Sequence, residues 1–355
     1  MRSNLYRTGV VAALVGALPL GAAVAAHAPA RAVRPHLYHV TIGVDVPYGL
    51  MAVNEFLPGR LTVHAGDSVQ WTNADGGEPQ TVTLGSVDYT PALFLSTDNP
   101  EANPAIVKPQ GSRVLRDASS IHSSGALMSG VKGLGASYTF TFRAVGTYFY
   151  RSLFHPLMLG EIDVVPPSQP ASADPPDRGD SAVTALRSTA DALLIQQRSD
   201  AQAATGGSPE VSVGFGNKDV SLNIFAPAGI QIHAGSTVTW RMSETSGDPH
   251  AILLVTGASA TNAGAAPLYT ALAPDGGLTV NPVYAKASLL SGTDVTTGTL
   301  SSSGQYSSGL IYNSSPAYPS QTPFQYSLTF LLPGQYYYID PFHGNGTQGV
   351  ITVLP

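Results

Sequence analysis

The sequence predicts an all-β protein made of two copies of one antiparallel β-sandwich, joined by a Pro-rich linker and a short helix. Three observations carry that prediction. The first is an internal repeat: Asn54 to Trp71 reads NEFLPGRLTVHAGDSVQW and Asn223 to Trp240 reads NIFAPAGIQIHAGSTVTW, with Asn, Phe, Pro, His, Ala, Gly, Val and Trp recurring at constant spacing. The second is period-two alternation, as in Tyr138-Thr139-Phe140-Thr141-Phe142 and Tyr326-Ser327-Leu328-Thr329-Phe330, which puts one face of a strand on a core. The third is composition: only 11% of the residues are charged, and 37 Gly and 28 Pro in 355 residues suit short strands linked by turns.

The elements follow in order. Residues 1–32 read as a signal peptide: Arg2 and Arg7 precede an apolar stretch from Gly9 to Ala26, and small residues offer cleavage after Ala26, Ala28 or Ala32. An uncleaved anchor is the alternative, and Pro19 with the Ala/Gly run argues against it. The first unit spans 33–166. In it, Leu61-Thr62-Val63 leads through His-Ala-Gly to the Trp71 strand, and Gly146 turns the chain into an aromatic strand. Residues 167–208 form a Pro-rich linker and a helix over 183–200, where Val183, Leu186, Ala190, Leu193, Ile195 and Gln197 recur at roughly helical spacing. The second unit, 209–355, repeats the first. Long Ser/Gly/Ala-rich stretches, 85–136 and 256–324, interrupt each unit and read as functional covers or partly disordered loops.

Composition also excludes functions. A formal charge of −6 with no basic run speaks against nucleic acid. Zero cysteines rule out disulfides and thiolate metal sites. No segment after the N-terminus is long and apolar enough to span a bilayer.

The Gly146-Thr147-Tyr148-Phe149-Tyr150 strand runs into Arg151-Ser152-Leu153-Phe154-His155-Pro156-Leu157-Met158-Leu159-Gly160. Together with Phe56, Pro58, Val63, Ala65-Gly66-Asp67, Val69 and Trp71, this resembles the plastocyanin/azurin cupredoxin family, over about 36–166 and less strongly over 209–355. The resemblance implies a tandem of Greek-key sandwiches. It also implies a copper site of one His after the Trp strand and Cys, His and Met on the last loop. Carried over residue by residue, the first unit places Gln80 and Ser152 at the early His and Cys positions, and only His155 and Met158 match. That degenerate set predicts no metal in the first unit. In the second unit His250 and His343 hold the His positions, Asp340 replaces Cys, and the Met position falls near Asn345 to Thr347. Two imidazoles and a carboxylate suit a non-blue copper(II) or zinc site. The alternative is that His250 and His343 are hydrogen-bonded loop-end residues.

The remaining histidines carry less. His64 and His233 precede the Ala-Gly turn and are expected to face outward. His36 and His39 are expected on opposite faces of a strand, and His122 lies in a long loop. Asn313 and Asn345 begin glycosylation-type triplets. No nucleophile elbow, phosphate loop or oriented nucleophile–base pair is present, so no catalytic constellation is expected. The leading expectation is an exported, non-catalytic binding or structural protein, secreted, periplasmic or at the cell surface, with an unidentified partner there. The second is copper binding or delivery through His250, His343 and Asp340. The third is family-type copper electron transfer, which the missing cysteines oppose.

Overall fold

The structure is a computed structural model describing residues 34–44, 50–74, 78–86, 88–93, 101–155, 157–173, 209–216, 219–243, 246, 248–255, 269–281, 284, 293–295, 305–311, 324–343 and 346–355, plus helical positions 184, 188, 191, 192 and 195. The first half carries β1 (Leu37–Ile42), β2 (Met51–Val53), β3 (Phe56–Leu57), β4 (Arg60–His64), β5 (Ser68–Asn73), β6 (Thr83–Leu84), β7 (Glu101–Ala102), the one-turn helix α1 (Pro104–Val107), β8 (Val114–Leu115), β9 (His122–Ser123), β10 (Ser137–Phe142), β11 (Gly146–Arg151) and β12 (Leu159–Val165). The second half carries β13 (Glu210–Gly216), β14 (Val220–Ala226), β15 (Gly229–His233), β16 (Ser236–Met242), β17 (His250–Val255), β18 (Tyr269–Leu272), β19 (Leu278–Val280), β20 (Thr293–Val295), β21 (Gln305–Ile311), β22 (Gln325–Phe330), β23 (Gly334–Ile339) and β24 (Gln348–Leu354).

The duplication holds strand by strand. One sheet runs β3-β1-β5-β10-β8 in the first half and β14-β13-β16-β22-β20 in the second. The facing sheet runs β4-β12-β11-β6-β9, matched by β15-β24-β23-β17-β21. The fold is all-β, as expected, but the sheets are mixed rather than antiparallel. β1 pairs parallel with β5, β12 with β4, and β10 with β8, and the second half repeats this. β2, β3 and β4 intervene between β1 and β5, and β5 returns beside β1 in the same direction.

Alternation does what the sequence requires of it. β10 and β22 bury every second residue, placing Tyr138, Phe140 and Phe142, or Tyr326, Leu328 and Phe330, around Trp71 and Trp240. β17 is different, because all six of its residues are buried. Ile252 and Leu254 enter the core of the second sandwich, while Ala251, Leu253 and Val255 enter a separate apolar seam. A strand covered on both faces reads as a continuous apolar run, which accounts for Ala251-Ile252-Leu253-Leu254-Val255.

That seam joins the two halves. It contains Ile106, Val107, Leu153 and Phe154 of the first half with Leu253, Leu278, Ile339 and Phe342 of the second. Strands cross it as well. β2 adds to the second half's sheet by pairing with β14, and β7 pairs with β19. Asn54 donates to Ser221 Oγ at 2.9 Å, closing the β2 end. Part of the long 85–136 stretch is therefore an ordered cover that docks on the other sandwich.

The far ends of both long stretches repeat too. Ser123-Ser124-Gly125 and Ser307-Ser308-Gly309 flank β6 and β17, where Ser124 Oγ accepts from Val82 N and Ser308 Oγ from Ile252 N, both at 2.8 Å. His122 consequently lies in a buried strand rather than an open loop. His233 is exposed as expected, whereas His64 is half-buried with its Nε2 2.8 Å from the Gln169 carbonyl. His36 and His39 are both exposed. Thr184, Ser188, Asp191, Ala192 and Ile195 are helical, and Ile195 faces solvent. The signal segment, most of the linker and helix, Asn313 and Asn345 lie outside the described residues. Among the described residues, no helix is long and apolar enough to cross a membrane.

Candidate metal centre

His250 opens β17, Asp340 follows β23 directly, and His343 lies in the turn between β23 and β24. The fold brings all three together, as the sequence predicts. Asp340 Oδ2 lies 2.5 Å from His250 Nδ1 and 2.8 Å from His343 Nδ1, and the two rings are 4.5 Å apart at 46°. All three side chains are buried. Asp340 Oδ1 accepts from Phe342 N at 3.0 Å and Ala251 N at 3.3 Å, which fixes the carboxylate. Ser246 Oγ sits 3.0 Å from His250 Nε2, leaving Nδ1 for the centre. Gly214 lets the sheet approach: its φ is +64°, and a Cβ there would collide with His250 Nε2 and Ser246 Oγ.

The first sandwich's degenerate set is divided. His155 Nδ1 lies 3.1 Å from Gln80 Oε1, so these two expected positions meet. Ser152 Oγ accepts from the backbone nitrogens of Thr81 and His155 at 3.3 and 3.4 Å and serves the loop itself. Met158 is buried in the apolar core of the first sandwich, where a flexible thioether fills space.

Two residues absent from the expected sets complete the picture. Glu78 and Asp248 each stand two residues before the early His position, in Glu78-Pro79-Gln80 and Asp248-Pro249-His250. His155 Nε2 is 3.1 Å from Glu78 Oε2 and 3.0 Å from Asp248 Oδ1, and His343 Nε2 is 3.4 Å from Glu78 Oε1. The two loop ends thus face each other across the seam. A continuous chain runs Gln80, His155, Glu78, His343, Asp340, His250, Ser246. The repeated acid-Pro-x pattern was the available signal, but it points to a shared site only once the two loops are known to meet across the seam.

Electrostatics follow from this packing. Burial pushes Asp340 up, but the charges of His343 and His250 outweigh it and hold the carboxyl well below its usual range. Burial likewise pushes Glu78 up, and hydrogen bonds to His155 and His343 reverse it. For His155 burial acts downward, and the Asp248 and Glu78 carboxylates override it, raising the imidazole to about 10. His343 is raised well above its usual value by Asp340 and Glu78, against its burial.

The donor chemistry decides which ion fits. A blue-copper centre needs a thiolate, and with no cysteine in the chain it does not fit. Two imidazole nitrogens and a carboxylate fit zinc or non-blue copper(II). His250, Asp340 and His343 offer ligand atoms within 4.8 Å of one another, as do Glu78, His155 and Asp248.

No family model matches the chain, and no curated protein matches it in sequence. Solved structures similar to part of it are cupredoxins. An oxidised mutant of amicyanin is 18% identical, covering 36% of this chain and 82% of its own, with a TM-score of 0.22. A mutant plastocyanin of fern is 19% identical, covering 36% and 100%, with a TM-score of 0.23. A purple cupredoxin from Nitrosopumilus maritimus is 19% identical, covering 36% and 99%, with a TM-score of 0.22.

Proposed function

We propose that this protein is an exported, non-catalytic binder of a divalent metal, copper(II) or zinc, held in the second sandwich by His250, Asp340 and His343. One observation carries the reading. Asp340 Oδ2 meets the Nδ1 atoms of both histidines at 2.5 and 2.8 Å, in a buried cluster held by β17 and the β23–β24 turn. Three convergent donors on rigid elements are what a bound divalent ion requires. The missing thiolate argues against family-type electron transfer and favours storage, delivery or structural use of the ion.

A second reading rests on the same distances. Lengths of 2.5 and 2.8 Å are also those of charge-assisted hydrogen bonds. On this reading the cluster is a metal-free hydrogen-bonded clamp within the second sandwich that reaches the first through Glu78, and the protein is a structural or partner-binding module.

Metal loading separates them. Metal-free protein is equilibrated with Cu(II) or Zn(II), desalted, and assayed for bound metal beside His250→Ala and Asp340→Asn. The metal reading expects both substitutions to remove about one equivalent from the wild-type load. A wild-type load unchanged by either substitution sinks it.

A further inference from the structure

The seam between the sandwiches holds a second constellation that His250 and Asp340 do not enter. It consists of Glu78 and His155 from the first half and Asp248 from the second, with one ligand atom from each lying within 4.8 Å of the others.

Proton counting shows why this arrangement asks for a cation. Gln80 presents its carbonyl oxygen to His155 Nδ1 at 3.1 Å, so Nδ1 carries a hydrogen and donates it. The other ring nitrogen, Nε2, then faces Glu78 Oε2 at 3.1 Å and Asp248 Oδ1 at 3.0 Å. At most one hydrogen sits on Nε2, so two carboxylates converge on a single donor. Asp248 has little else. Its side chain is 1% exposed, and apart from that ion pair neither oxygen has a hydrogen-bond partner among the described residues. A buried carboxylate left short of donors is costly. A divalent cation in place of the shared hydrogen would bind the Nε2 lone pair and both carboxylates at once.

We propose that Glu78, His155 and Asp248 form a second divalent-cation site across the seam, distinct from the centre of the second sandwich. One imidazole and two carboxylates select an oxygen-tolerant ion such as Zn(II) or Mn(II). Glu78 also places Oε1 3.4 Å from His343 Nε2, which links the new site to the first centre through one side chain. Because its ligands come from both halves, an ion there fastens one sandwich to the other.

The test uses the full chain stripped with a chelator and titrated with Zn(II) and, separately, Mn(II). Bound metal and the melting midpoint are measured for the wild type, Asp248→Asn, His155→Gln and His250→Ala. Circular dichroism establishes that each variant is folded. The site predicts about two Zn(II) per wild-type chain and about one in each variant. It also predicts a rise of about 5 °C in the melting midpoint on metal addition, smaller in Asp248→Asn. If the wild type binds one Zn(II) and Asp248→Asn keeps it, the seam site is overturned while the second-sandwich centre stands. If His250→Ala changes nothing and Asp248→Asn loses its metal, the reverse holds. Two equivalents persisting in both Asp248→Asn and His155→Gln also overturn it. Asp248→Asn preserves side-chain shape, so it decides the matter should His155→Gln fail to fold.

Discussion

Glu78 and Asp248 hold equivalent places in the two sandwiches, and both end on the Nε2 atom of one imidazole, that of His155, at 3.1 and 3.0 Å. Duplication created the pair, and the packing of the two halves across the seam made them neighbours. The same packing explains why the two loop ends differ. Gln80 stands where the other half has His250, and Ser152 where it has Asp340. The first end therefore keeps one imidazole and borrows a carboxylate across the seam, while the second keeps two imidazoles and supplies its own.

Asp340 is the keystone of the second end. Its Oδ2 serves two imidazoles and its Oδ1 two backbone amides, all in a buried site. Asp340→Asn removes the charge that both rings share. Zinc affinity should fall by about 100-fold or more, read by competition with a chromophoric chelator. Without metal, the variant should lose about 3 kcal/mol in urea unfolding, because two buried imidazoles lose their counter-charge.

Two glycines face tyrosine rings at equivalent places in the two sandwiches. Tyr150 lies opposite Gly160, and Tyr338 opposite Gly349, in the β11–β12 and β23–β24 ladders. In both, an added Cβ would strike the tyrosine ring. Those rings also pack edge-on against Trp71 and Trp240 at 5.2 Å, so they have nowhere to move. Gly160→Ala and Gly349→Ala should each cost about 1–3 kcal/mol in urea unfolding. A loss under about 0.5 kcal/mol would show that the ring yields.

How much of this was legible in the sequence differs by feature. The strands around Trp71 and Trp240 were, because alternation and close repetition are local. The set His250, Asp340, His343 was also legible, since each position follows from the repeat and the resemblance. The second acid at His155 was not. Asp248 reaches His155 only because the halves pack against each other across the seam, and no local pattern encodes that contact. The β2–β14 pairing was hidden for a like reason, with Met51-Ala52-Val53 too short to announce a strand. Ser123-Ser124-Gly125 and Ser307-Ser308-Gly309 were a readable repeat, obscured by the Ser/Gly-rich composition of the stretches around them.

Between pH 7.5 and 5, loss of stability with falling pH should arise away from the clusters. His122 Nδ1 accepts a hydrogen bond from Ser112 N at 2.9 Å, which requires that nitrogen to be bare. Burial lowers this histidine's pKa below its usual 6.5, against a smaller upward pull from Asp117. The unfolded chain therefore takes up the proton first as pH falls. This histidine's contribution to stability is flat above the unfolded value and declines as pH drops through about 6.5 toward the lower folded value. His122→Asn, which can offer an oxygen to Ser112 N, should flatten this part of the stability–pH curve between pH 7.5 and 5. A wild-type minus variant difference that stays constant across that range would refute the assignment.

The seam makes a thermodynamic claim about the whole chain. Phe154 of the first sandwich and Leu253 of the second lie in one buried apolar cluster, and β2 and β7 each pair with a strand of the other half. Two sandwiches joined only by a linker would melt separately, and a core truncation in one would shift one transition. Here neither half can unfold without exposing the other's seam residues. Calorimetry should show one transition for residues 35–355, which form a single compact unit. Phe154→Ala and Leu253→Ala should move that one transition in the same way, each by about 3–5 kcal/mol of stability. Two resolved transitions, only one of them responding to Phe154→Ala, would mean that the seam is too weak to couple the halves. In that case Asp248 would reach His155 only when both halves happen to be docked.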